Sequence, residues 1–198
     1  MCFALVNALI YLKSFAKYSK AFKILTIYLI ITIVIEVIAF YVGKAKHLSN
    51  LYFSHFYYTS QFLLLSFFYA ELFKKKIILL FAIPVFCFIG YQFFIDPELF
   101  FRYNPMAMTI THTLLVIYTI GYLYKSLQGK REFIIVNVGL LIYLLSSTLI
   151  FASGNLVLDL NISKSARFLL INLNRVLILV FQILIFIEWY RNYRVQKV

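Results

Sequence analysis

INLNRVLILVFQILIFIEWYRNYR, residues 171–194, decides the fold. It is an almost unbroken apolar run that ends in Trp189 and Tyr190, and such amphipathic rings prefer a membrane–water interface. The run reads as a membrane helix. Yet it carries Arg175, with Asn172 and Asn174 close by. A guanidinium near the bilayer centre costs about 3 kcal/mol on insertion scales. Groups of this kind face the bundle interior and are usually paired.

The rest of the chain agrees with a membrane solvent. Of 198 residues, 64% are hydrophobic and 13% are charged. A soluble domain is nearer half apolar and about a quarter charged. A mean hydropathy of +0.91 belongs to an integral membrane protein. β-barrel spans would be about ten residues long and alternate in polarity; these runs do not alternate, so the expected class is all-α.

Seven apolar segments are expected to form one polytopic helical bundle over residues 1–198. They run roughly over 2–16, 23–43, 51–73, 77–95, 106–125, 133–152 and 168–190. A helix needs about 20 residues to cross a core about 30 Å thick. Six segments meet that length. The first is short: from Cys2 to Phe15 a helix would span about 21 Å, so either the bilayer thins locally or a native extension completes it. Residues 1–12 lack the basic leader and small-residue cleavage site of a signal peptide.

Orientation follows from the cations in the loops. Lys13, Lys17, Lys20, Lys23, Lys74, Lys75, Lys76, Lys125, Lys130, Arg131, Arg191, Arg194 and Lys197 fall on one side, thirteen in all. Lys44, Lys46, Arg102, Lys164 and Arg167, five in all, fall on the other. The alternation predicts an N-terminus outside and a C-terminus in the cytoplasm, in the bacterial cytoplasmic (inner) membrane. The net charge of +12 is thus read as topology. Nucleic acid is not an expected partner, because the cations lie in short clusters between apolar runs.

Cys2 and Cys87 form no disulfide framework, and Cys87 reads as a small packing residue. Pro84 removes one backbone donor inside the fourth segment and predicts a kink there.

The polar residues inside the spans carry the functional reading. Glu36 lies seven residues before Gly43, and Arg175 seven after Phe168, so each is about 10 Å below the outer end of its segment. His55 and His112 lie four and six residues inside outer ends. All four fall in the outer half. Glu36 and Arg175 match in depth and oppose in charge, so they are expected to pair or to line one cavity. A structural salt bridge, a ligand or ion site and snorkelling to the interface stay open as readings.

Spacing places Asn172, Arg175, Leu179 and Gln182 on one face of the last segment. Ser54, Tyr58 and Gln61 share a face of the third, and Met108, His112 and Thr119 one of the fifth. Polar faces of this kind suit hydrogen bonds between helices, worth about 0.6–2 kcal/mol each.

No cofactor or metal is expected. His55, His112 and Glu36 are zinc-type ligands, but H-x-x-x-H and H-E-x-x-H spacings are absent. A retinal protein needs a lysine in its last helix, and Phe168–Tyr190 has none. There is no G-x-S-x-G, Walker loop or C-x-x-C, and no catalytic set is assigned.

FKILTIYLIITIVIEVIAFYV (22–42), NLYFSHFYYTSQFLLLSFFY (50–69) and FIIVNVGLLIYLLSSTLIF (133–151) together carry a resemblance. The chain resembles a group of small polytopic, about seven-helix membrane proteins of Bacteroidota whose function is uncharacterised. In that group the second helix tends to carry an acid where Glu36 stands. The third tends to open with Asn, then His and Tyr, matching Asn50, His55 and Tyr57. The group often has Glu where this chain has Gln61, and Trp where it has Ile134. Its members often sit beside histidine-kinase signalling genes, so the resemblance implies a sensory role.

The expected function is a seven-helix sensor or signalling accessory. Its pocket in the outer half would draw on Glu36, Arg175, His55, His112, Tyr58, Gln61 and Asn172. Expected partners are membrane lipids, a small-molecule ligand from the outer side, and a membrane or cytoplasmic protein met by the basic loops. The alternatives are a membrane-embedded enzyme or carrier for a lipid or small anionic substrate, and a structural subunit of a membrane complex.

Overall fold

The structure, a computed structural model, describes residues 2–46, 50–129, 132–152 and 164–194. Among these residues there are seven α-helices, two 3-10 helices and no strand. The α-helices are α1 (Cys2–Lys13), α2 (Lys20–Ala45), α3 (Phe53–Phe73), α4 (Ala82–Ile95), α5 (Pro105–Ser126), α6 (Ile134–Ala152) and α7 (Lys164–Asn192). Among the described residues four stretches are long and apolar enough to cross a membrane: Lys20–Lys44, Lys76–Ile95, Pro105–Ser126 and Asn172–Asn192. Lys130, Arg131, Lys197 and the loop after α6 lie outside the described residues. The chain divides into two compact units, residues 1–111 and 112–198.

In the first unit, Ser19 caps α2 by accepting the Phe22 N–H at 3.4 Å. Leu25, Tyr28, Leu29, Thr32 and Ile33 then form the buried stripe of α2, against α3. Val34, Val37, Ile38, Phe40 and Tyr41 are exposed. A helix apolar on every side suits hydrocarbon solvent. Hydroxyls on this helix return to its own carbonyls: Thr26 donates to Phe22 O at 2.8 Å and Thr32 to Tyr28 O at 2.9 Å. That satisfies them where water is scarce.

α1 has 12 residues, and it packs on α2 through Ala4, Asn7, Ala8 and Tyr11. Tyr11 stacks on Phe22 with centroids 4.8 Å apart.

α3 is absent from the four apolar stretches although it has 21 residues. It is the buried helix of this unit. His55, Tyr58, Gln61, Phe62, Leu65, Ser66, Phe68, Tyr69 and Ala70 are all inside. Its buried polar groups His55, Tyr58, Gln61 and Ser66 are enclosed by protein.

The fourth segment differs from expectation at Pro84. The chain forms a 3-10 helix over Lys76–Phe81, and α4 starts afresh at Ala82. Pro84 therefore sits in a first turn, where its missing N–H has no partner to lose. Cys87, expected to pack, is exposed.

In the second unit α6 packs against α7. Gly139 makes the close approach: a Cβ there would meet Phe181 Cδ2 at 3.0 Å and Leu184 Cδ1 at 3.1 Å.

Candidate functional site

At the end of the first unit where α3 begins, His55 is buried and both ring nitrogens are engaged. Nε2 lies 2.9 Å from the Arg102 carbonyl, which can only accept. The Nε2–H tautomer follows, and Nδ1 accepts from Tyr58 Oη at 2.9 Å. The ring stacks near Phe100 and meets Phe93 edge-on. His55 thus ties α3 to the loop after α4. The same loop is held by Asn104, which caps α5 by accepting the Ala107 N–H at 3.0 Å and donates to Gln92 Oε1 at 3.1 Å.

Gln61 is fully buried and donates to Tyr28 Oη at 3.0 Å, joining α3 to α2. Asn50 donates to the Ala39 carbonyl at 3.1 Å, and its amide occupies the space a Cβ on Gly43 would need. Glu36 follows Leu29, Thr32 and Ile33 on the inward stripe of α2 and is half-buried. Glu36 and Arg175 belong to different units.

In the second unit, His112 is fully buried with Tyr143 near it, and Tyr143 stacks flat on Phe181 at 5.5 Å. The α5 stripe of Met108, His112 and Thr119 is buried as expected.

The inward stripe expected on α7 is corrected. Arg175 and Leu179 are exposed, and Asn172 and Gln182 are half-buried. The buried face runs through Phe181, Ile185 and Glu188, and Asn174 accepts from the Ser147 hydroxyl of α6 at 3.2 Å. Two polar stripes compete on this helix. The one buried is the one with partners on α6. Arg175 donates to Asn172 Oδ1 at 3.4 Å, one turn earlier. Beside them a groove of about 640 Å³ is lined by Ser165, Phe168, Leu169, Asn172, Leu173 and Val176.

Glu188 is the group that sequence reasoning missed. A carboxylate this close to the end of an apolar run reads as able to reach water, yet Glu188 is fully buried. Its carboxylate accepts the N–H groups of Phe133 (3.2 Å), Ile135 (2.9 Å) and Val136 (3.4 Å), and the Asn192 amide at 2.6 Å. The N-terminus of α6 supplies unsatisfied donors and the positive end of a helix dipole. A signal for this was present. α6 starts after Glu132-Phe133, without Ser, Thr, Asp or Asn to cap it, so its donors require an acceptor from elsewhere. Phe133 adopts φ 59°, a left-handed conformation, and its buried ring stacks on Tyr193 at 5.4 Å.

Among the described residues no group of three His, Cys, Asp or Glu side chains stands close enough to hold a metal ion. No family model, curated protein or solved structure matches the chain.

Proposed function

We propose that this chain is a multi-pass protein of the bacterial cytoplasmic membrane, N-terminus outside, acting as a sensor or signalling accessory. Its ligand is a small anion with an apolar body, met by Arg175 and Asn172 in the outer half of α7. Its basic inner loops meet a membrane or cytoplasmic partner.

One observation carries the ligand reading. The Arg175 guanidinium is exposed on an otherwise apolar helix face, beside an apolar groove. Among the described residues its hydrogen-bond partner is Asn172 alone. A planar fork with five donors then has capacity for a carboxylate or phosphate. Depth supports this too: Arg175 lies seven residues after Phe168, about 10 Å below the outer end of its segment, in the outer half of the span.

The enzyme alternative has less support. The base it would recruit, His55, has both ring nitrogens committed to Tyr58 and Arg102, and His112 is fully buried.

Hexyl phosphate, titrated against the purified protein in a neutral detergent, tests the ligand reading. It should raise the unfolding temperature of the native chain by several degrees and leave Arg175→Ala unchanged. An equal rise in both, or none in either, removes the proposed contact. The sensory half is tested with a photo-crosslinker at Lys75: capture of a partner should change when hexyl phosphate is present.

A further inference from the structure

We infer that a groove on the first unit holds one acyl chain of an anionic phospholipid, with the head group at Lys46. The groove has a volume of about 510 Å³ and lies between Ile35 and Ile38 of α2, one face of α3, and Phe86 of α4. It is a site separate from the α7 groove, built within one unit.

Its chemistry is that of a hydrocarbon slot. Thr59 and Ser60 are the small residues that open it between the larger Phe56 and Leu63. Their hydroxyls are spent on their own helix: Thr59 donates to His55 O at 2.5 Å and Ser60 to Tyr57 O at 3.1 Å. What remains facing an occupant is nearly all carbon.

Its depth is that of one leaflet. On α3 the lining runs from Phe53, the first helical residue, to Leu63. Ten residues of helix rise about 15 Å. On α2 the deepest lining residue, Ile35, lies ten residues before the helix end at Ala45, the same depth. Half of a hydrocarbon core about 30 Å thick is about 15 Å. A helix from a second copy or a partner would run the full thickness, and this groove ends halfway. The length therefore favours an acyl chain over a protein helix.

Charge fixes the head group. Residues 35, 38, 42 and 46 recur at helical spacing, so Lys46, the C-cap of α2, continues the groove-lining stripe at its open end. Lys46 is exposed, and no ion pair engages it among the described residues. A compact ammonium at that height suits a lipid phosphate carrying net negative charge.

The test uses the full chain in phosphatidylcholine vesicles, with trace phosphatidylglycerol or phosphatidylcholine bearing a photoreactive group on one acyl tail. Adducts are mapped by peptide mass spectrometry. Phosphatidylglycerol should label the peptides holding Ile35–Ile38 and Phe53–Leu63 several-fold more than phosphatidylcholine does, and more than exposed apolar peptides elsewhere. Lys46→Glu should bring the two lipids level. Ser60→Phe should remove the labelling while circular dichroism and elution volume stay unchanged. Even labelling over all exposed apolar surfaces overturns the inference. So does a phosphatidylglycerol preference that survives Lys46→Glu, or a groove shielded from both lipids in a dimer. Because Lys46 lies at the surface, its variant still decides the matter if Ser60→Phe fails to fold.

Discussion

Glu188 shows why single residues in this chain were only partly legible. A carboxylate two residues from a helix end reads as solvated, and only the missing cap of α6 argued otherwise. Removing it strands three backbone donors in a buried place. Each unsatisfied buried group costs about 1–3 kcal/mol, and an N-cap oxygen is worth about 1 kcal/mol. Glu188→Ala should therefore lose about 3 kcal/mol or more of stability. Glu188→Gln keeps one accepting oxygen and should lose less. Thermal unfolding in detergent of the native chain and both variants checks the order. A Gln variant as damaged as the Ala variant would mean that charge, not acceptance, holds α6. His55, Tyr58, Gln61 and His112 were legible as buried, because polar side chains inside apolar runs must turn inward. Their partners were not, since the Arg102 carbonyl comes from a loop 47 residues away in sequence. His55→Leu should free that loop, and amide exchange over residues 96–104 should rise while α3 stays protected.

Helices were legible as elements wherever an apolar run was long, and the segment ends fall within a few residues of those observed. The face each helix buries was harder. On α5 the stripe of Met108, His112 and Thr119 is inside, while Thr113 on another face is exposed. On α7 two stripes held polar residues, and the choice was made by α6, through Ser147 and the α6 N-terminus. Neither α6 feature lies on the helix being read. Close approach between elements is carried by two glycines. At Gly43 a Cβ would lie 2.7 Å from Asn50 Nδ2, so Gly43→Ala must displace the amide that bonds Ala39. Packed helices in membranes depend on small residues at such points. Gly43→Ala and Asn50→Ala should each destabilise by about 1 kcal/mol, and the double variant by less than their sum. Strict additivity would show that the two residues act apart.

The whole molecule raises a question of counting. Loop cations predict the side of every connection, but they do not say whether α1 crosses. Its 12 residues reach about 18 Å, against a core about 30 Å thick. Its last turn carries Lys13, and Tyr11 meets Phe22 at the start of α2. α1 therefore rises from the same side on which α2 begins, that of Lys17, Lys20 and Lys23. If that side is the cytoplasm, reporters fused at Gln128 and after Val198 should both read cytoplasmic, whatever α1 does. A periplasmic signal at either position removes the orientation. A third reporter, at the N-terminus, isolates α1. With seven spans it reads outside, the expected result, since local thinning costs only fractions of a kcal/mol per Å of mismatch. A cytoplasmic reading there, with the other two unchanged, leaves six spans and makes α1 a helix that enters the bilayer without leaving it.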